Sequence, residues 1–472
     1  MSQLHDLTAC DQAAAVRRRE VSPVELVDHY LDRIDRLNGD LGAFITVCDE
    51  TARDQAKEAE RAVIAGEDLP PLHGVPTAIK DLNLTAGVRT TLGSAVYSDF
   101  VPPVDDHVVT LLRRVGTISL GKTNTPEFGL PCYTEPAVAP PARTPWDLGR
   151  LAGGSSGGAG AAVAGGLVPF AQGSDGGGSV RIPASLCGLF GIKVSRGRVS
   201  NGPVGGDTTG LSWNGPLART VRDAAAMLDA MAVPMLGDPH WAPPLPAGET
   251  FRGWADREPG RLRVGRYITP VIADARVHED CRAAWEGASE LLASLGHEVE
   301  DIAPPLGSEM VSLFETLWSV AAHTAPVDPA RENELMPLTR WLRGRGAQIS
   351  GPQYLAAVAN LQLVSRQAIA ATAGYDVVLT PTVALPPRPV GWFTEAGDPA
   401  ADFERQKSFT PFTAVYNVTG QPAVNVPLHW NDHGHPIGVM LVGQPAGEAT
   451  LISLSAQLEA ARPWQHRHPA MW

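Results

Sequence analysis

Cysteine is scarce in this chain, and no segment reads as an export or membrane signal. The five cysteines (Cys10, Cys48, Cys132, Cys187 and Cys281) are scattered with no C-x-x-C spacing. A sparse, odd set of this kind excludes a disulfide framework and a zinc site and predicts a reduced, intracellular setting. No run of about 18 apolar residues occurs, so no membrane-spanning helix is expected. The opening stretch, MSQLHDLTACDQAAAVRRRE, has no apolar core of the secretory type, and a cytoplasmic location is the expectation. Positive charge is short too. A formal net charge of −13 repels phosphate backbones and argues against a nucleic-acid partner. Internal repeats and low-complexity tails are missing.

What is present is the balance of a folded protein with a large core: 44% hydrophobic and 19% charged residues. The 472 residues admit one large domain or two ordinary ones. Ser22-Pro23-Val24-Glu25 reads as a helix start, with Ser22 capping, Pro23 in the first turn and Glu25 returning a hydrogen bond. Leu26, Tyr30, Ile34 and Leu37 then recur at helical spacing, and Asn38-Gly39 is the expected stop. Residues 74–80 read as a strand ending at Lys80-Asp81. A helix over 106–114 feeds a strand over 117–120. Farther on, 262–265 reads as a strand, 274–295 as a long helix stopped by Gly296, and 297–299 as another strand. Strands alternating with long helices predict an α/β fold. A Pro-rich surface stretch over 242–260 connects the two parts, 1–240 and 261–472.

Two glycine-rich stretches carry the chemistry. The first is Gly153-Gly154-Ser155-Ser156-Gly157-Gly158. The second is Gly173-Ser174-Asp175-Gly176-Gly177-Gly178-Ser179-Val180-Arg181-Ile182-Pro183-Ala184. Glycine lets amide N–H groups turn inward where a side chain would block them. A run of such groups ending at a serine suits an oxyanion, which makes Ser179 a candidate nucleophile. From the glycines alone, a turn, a flexible linker and a phosphate loop all stay open.

Lys80 within GVPTAIKDL, the GGSSGG stretch and GSDGGGSVRIPA, in this order and spacing, resemble the amidase signature family. GKTNTPEF (121–128), GPLARTVRDAA (215–225) and NVTGQPAVNVP (417–427) extend the likeness over most of the chain. The resemblance is nearest to bacterial aryl acylamidases and hydrolases of the cyclic nylon-oligomer amide. It implies one domain over 1–472, a large mixed sheet covered on both sides by helices. In that reading 1–240 holds the catalytic motifs and 261–472 completes the sheet and the pocket.

The resemblance also implies roles. Ser179 is the nucleophile, Ser155 (behind a cis Gly154–Ser155 peptide) bridges it to Lys80, and Lys80 is the base. A free lysine has a pKa of about 10.4, so Lys80 must be buried away from carboxylates to act. Asp81 next door would oppose this, but in a strand its side chain points to the other face. Amides of Gly176, Gly177 and Gly178, with that of Ser179, form the oxyanion hole. Gly154, Ser156, Asp175 and Arg181 support the loops. Gly129, Leu130, Pro131, Cys132 and Tyr133 border the substrate pocket. The implied substrates are neutral hydrophobic amides and water, with esters and carbamates as side substrates. Neither a cofactor nor a metal is required, and a homodimer stays open.

The sequence departs from the family at Gly176, where threonine, valine or isoleucine is common, and at PARTPW (141–146). The segment 194–206 lacks the pattern associated with the glutaminyl-tRNA amidotransferase subunit. Three rival readings remain. Gly116 to Thr123 fits the G-x-x-x-x-G-K-[ST] phosphate loop, though its spacer positions read as a strand. Gly153 to Gly157 fits G-x-S-x-G, the serine elbow of a Ser-His-Asp α/β-hydrolase, though no strand precedes it. The third is an amidase fold that binds without catalysis.

Overall fold

A computed structural model describes residues 3–205 and 207–472. Met1, Ser2 and Gly206, the last closing the divergent 194–206 segment, lie outside the described residues. β1 (Phe44–Val47), β2 (Pro76–Lys80) and β3 (Ile118–Thr123) form a sheet in the order β1-β3-β2. β4 (Phe170–Asp175), β5 (Phe190–Lys193), β6 (Trp213–Ala218), β7 (Arg263–Arg266), β8 (Glu298–Asp301), β9 (Val377–Pro381), β10 (Ala423–Trp430) and β11 (Pro436–Gly443) form a second. Its order is β4-β6-β5-β10-β11-β9-β7-β8.

The pairing is mixed, as expected for this α/β architecture. β7 runs parallel to β8 and β9, β2 runs parallel to β3, and antiparallel pairs make up the rest of both sheets. β5, β9 and β11 are buried along their whole length, so their apolar residues do not alternate with exposed polar ones. The edge strand β8, Glu-Val-Glu-Asp, is charged and largely exposed, which keeps that edge from pairing further. β10 and β11 come from the last part of the chain yet lie between β5 and β9. The two sheets meet where the Lys80 N–H donates to Gln172 Oε1 at 2.9 Å, beside a bond from Thr77 Oγ1 to the Phe170 carbonyl at 3.4 Å.

Local signals decide the helix ends. Ser22 and Glu25 form the expected capping box, with Pro23 in the first turn. The stop at Asn38-Gly39 is corrected: the helix Pro23–Leu41 runs through it and ends at Gly42, at φ 57°. Asn38 instead bonds both backbone polar groups of Phe44 through its side chain, tying the helix end to β1. The long helix begins at Glu279 rather than at 274, because His278 caps it by accepting the Asp280 N–H at 3.2 Å. The Pro-rich stretch is mostly exposed, but the short helix Phe251–Trp254 buries Phe251 in the main core.

Candidate active site

β2 ends at Lys80 and β4 ends at Ser174-Asp175, and the loop 153–156 runs between them. Lys80 is completely buried. Its Nζ donates to Ser155 Oγ at 2.8 Å, to Ser174 Oγ at 3.0 Å and to the Ser174 carbonyl at 3.3 Å. Burial lowers its pKa from 10.5 to about 7, with the Asp175 carboxylate pulling the other way. Asp81 does not reach it. That carboxylate accepts the Thr91 N–H at 2.9 Å and pairs at 3.7 Å with Lys122, a second buried lysine, on the far face of β2. The alternation of a strand therefore keeps an acid one residue away from spoiling the amine.

Asp175 and Arg181 are both fully buried and bond bidentately, at 2.8 and 2.9 Å. Burial pushes the Asp175 carboxyl up, but Arg181, Asn417 and the charge of Lys193 outweigh it and hold it well below the usual range. The same carboxylate accepts the N–H groups of Gly178 at 2.8 Å and Val180 at 3.1 Å, so it folds the loop that presents Ser179. Gly178 N–H, one of the expected oxyanion donors, is therefore occupied by Asp175. Gly178 has φ 133°, and a Cβ there would meet Thr413 Oγ1 at 2.5 Å. Only glycine fits this position.

The Gly154–Ser155 peptide is cis. A Cβ on Gly154 would lie 2.6 Å from the Tyr133 nitrogen, so backbone packs directly on backbone there. Ser156 accepts the Ser174 N–H at 3.2 Å, donates to the Ser174 carbonyl at 3.1 Å, and its own N–H reaches the Ser179 carbonyl at 3.2 Å. It clamps the first glycine stretch to the second. Hydrogen bonds thus join Lys80 to Ser155, while Ser155 and Ser179 face a common cavity without a direct bond between their hydroxyls. PARTPW still braces the helix Arg181–Cys187: Thr144 and Trp146 donate to the carbonyls of Leu186 and Cys187, both at 2.9 Å.

Ser179 opens onto two cavities. The first is largely apolar and is walled by Leu130, Pro131, Cys132, Ile182, Phe314 and Phe403. The second is lined by Ser155, Ser174, Gly176 and Gly129 together with Thr208, Thr209 and Ser212. Leu130, Trp318 and Ser179 line both. Tyr133 is corrected. It is buried, with its hydroxyl on Asp402 at 2.6 Å and its ring stacked on Phe393, and it borders a neighbouring cavity instead.

Sequence reasoning missed Ser174 as a Lys80 partner, although it lies inside the quoted motif. It also missed Gln172, which is completely buried, holds the Lys80 N–H, and donates to Asn83 Oδ1 at 2.9 Å and Asn214 Oδ1 at 2.7 Å. The apolar wall from Met310, Phe314 and Trp318 carried only a helical spacing as a signal, one that any core helix shows.

The two rival catalytic motifs do not survive this geometry. Gly121, Lys122 and Thr123 lie within β3, and Lys122 Nζ is buried against the Asn83 carbonyl at 2.6 Å and Thr90 Oγ1 at 2.8 Å, so no phosphate cradle exists there. No strand leads into Gly153, and among the described residues no histidine lines either cavity at Ser179. Among the described residues, no group of three or more His, Cys, Asp or Glu is placed to hold a metal, and no helix is long and apolar enough to cross a membrane.

Known proteins resemble this chain over nearly its whole length. A sequence profile of the family described as Amidase matches residues 25–452. The 6-aminohexanoate-cyclic-dimer hydrolase of Paenarthrobacter ureafaciens is 36% identical over 99% of this chain and 96% of its own. A structure of 6-aminohexanoate cyclic dimer hydrolase complexed with substrate superposes with a TM-score of 0.91 at 33% identity, covering 99% of this chain and 100% of that one. A bacterial aryl acylamidase of the amidase signature enzymes superposes with a TM-score of 0.86 at 27% identity, covering 98% of each chain. The chain therefore belongs to the amidase signature family and is an amidase, a hydrolase of amide carbon–nitrogen bonds.

Proposed function

We propose that this amidase hydrolyses neutral, hydrophobic aryl or alkyl amides through an acyl-enzyme on Ser179, driven by neutral Lys80 acting through Ser155. The observation that carries this reading is the 2.8 Å bond from a fully buried Lys80 to Ser155, with the lysine pKa at about 7. Ser179 Oγ attacks the carbonyl carbon, its proton passes to Ser155 Oγ, and the Ser155 proton passes to Lys80 Nζ. The amides of Gly176, Gly177 and Ser179 receive the oxyanion. As the C–N bond breaks, the proton returns through Ser155 to the departing nitrogen, because an amine anion is a very poor leaving group. Water then attacks the ester of Ser179 by the same relay and restores its hydroxyl.

Proton delivery orients the substrate. Ser155 lines only the second cavity, so the amine half belongs there and the acyl half fills the apolar one. Gly154, Ser156, Asp175 and Arg181 act by holding the loops. The reading takes 1–472 as one domain, supported by the position of β10 and β11 between β5 and β9. Esters and carbamates present the same carbonyl with comparable or better leaving groups and are expected side substrates.

The test is a hydrolysis panel of a nitroanilide, a nitrophenyl ester and an aryl carbamate on wild type and Ser179→Ala. Loss of all three activities by at least about 10³-fold supports the reading. Undiminished turnover by the alanine variant rejects it.

A further inference from the structure

The apolar cavity beside Ser179 has one charged spot. Glu315, on the helix Glu309–Thr324, and Lys407, on the helix Pro399–Phe409, both line it. Lys407 Nζ lies 2.7 Å from Glu315 Oε1, and each side chain is only 16% exposed. Replacing a largely buried ion pair by apolar groups of similar volume is often neutral or stabilising, so packing does not call for this one. The proton relay does not use it either.

The capacity left on the pair defines what it recognises. Glu315 also takes Arg345 at 3.0 Å, and Lys407 also takes Glu404 at 2.7 Å, so the four charges balance. Burial opposes both charges, yet these partners hold Glu315 below and Lys407 above their ordinary ranges, and both stay ionised. A ligand carboxylate drawn to Lys407 is repelled by Glu315, and an ammonium meets the reverse. A neutral group with an N–H and a carbonyl satisfies both, donating to Glu315 and accepting from Lys407. Neighbouring polar side chains are already committed. Gln406 accepts the Cys132 N–H at 3.0 Å and donates to Asp402 at 2.9 Å, and Thr410 donates to the Gln406 carbonyl at 2.9 Å.

We propose that Glu315 and Lys407 are a specificity-determining pair that selects acyl groups carrying a second, neutral amide-type function beyond an apolar segment. This rests on the acyl-enzyme reading and names its substrate class: amides with a second amide, urea or urethane in the acyl half, ahead of plain alkanoyl amides.

The test compares four nitroanilides with acyl chains of one length, ending in methyl, N-acetylamino, carboxylate or ammonium. Their kcat/KM is measured on wild type, Glu315→Gln and Lys407→Met. The expected result is a wild-type preference for N-acetylamino over methyl of about 10-fold, the scale of a hydrogen bond to a charged group. Both charged chains fall below methyl, and Lys407→Met brings the preference to about one. A wild-type enzyme that favours methyl or a charged chain, or a preference that Lys407→Met leaves intact, overturns the proposal. Should the variants fail to fold, the four wild-type values decide alone. A flat preference with Ser179-dependent turnover removes this proposal only; full turnover by Ser179→Ala removes the acyl-enzyme reading along with it.

Discussion

Lys80 Nζ donates to Ser155 Oγ across 2.8 Å in a shell that leaves the lysine no exposure and the serine 2%. Burying an amine in that position costs stability. The unfolded chain holds the lysine proton up to about pH 10.5, whereas the folded protein releases it near 7. Between those values the unfolded state binds more protons, so burying Lys80 is least favourable at low pH and stability rises with pH across the window. Lys80→Met is expected to abolish turnover while raising stability by about 1–2 kcal/mol at neutral pH. Urea unfolding at several pH values checks this: the slope of stability against pH should fall by about one proton, while the buried Lys122 and Lys193 keep theirs.

Asp175 organises the nucleophile loop through charge. Asp175→Asn removes the bidentate partner of Arg181 and leaves a fully buried guanidinium without its counter-charge. Breaking such a pair from one side destabilises by about 3–5 kcal/mol. The expected outcome is a large drop in the urea midpoint together with loss of Ser179 reactivity, since the Gly178 and Val180 amides lose their anionic acceptor.

Gln172 is expected to matter for rate more than for substrate binding. Gln172→Leu leaves the Lys80 N–H and the Asn83 and Asn214 side-chain oxygens without this partner, each such loss worth about 1–3 kcal/mol. Its atoms lie behind Lys80 and outside both cavities at Ser179. Steady-state kinetics on a nitroanilide should show kcat falling and KM nearly unchanged; a change confined to KM contradicts this placement.

The candidate site was legible in the sequence to the extent that its signals are local. Glycine runs ending at Ser155 and Ser179 declare themselves because Gly153 and Gly178 have positive φ and Gly154 packs on the Tyr133 backbone, and the strand before Lys80 announces a buried amine by its apolar run. The capping box at Ser22 is equally local, and it held. What failed depended on distant partners. The Gly178 amide looks free until Asp175 is seen to fold back onto it, and Tyr133 looks like a pocket residue until Asp402, far along the chain, draws it away. The apolar wall from Phe314, Trp318 and Phe403 comes from two helices whose spacing is that of any core helix. The helix stop at Asn38-Gly39 was misread because Asn38 caps a strand instead of ending a helix.

The most direct test of the central claim is the rate at which a fluorophosphonate labels Ser179 as a function of pH, with the modified residue identified by mass spectrometry. An uncharged Lys80 that draws protons through Ser155 requires labelling to rise about tenfold per pH unit below about 7 and to level off above it, and Lys80→Met to label far more slowly at every pH. A rate flat from about pH 5 to 9, or one rising only near the ordinary lysine pKa of about 10.4, contradicts the account.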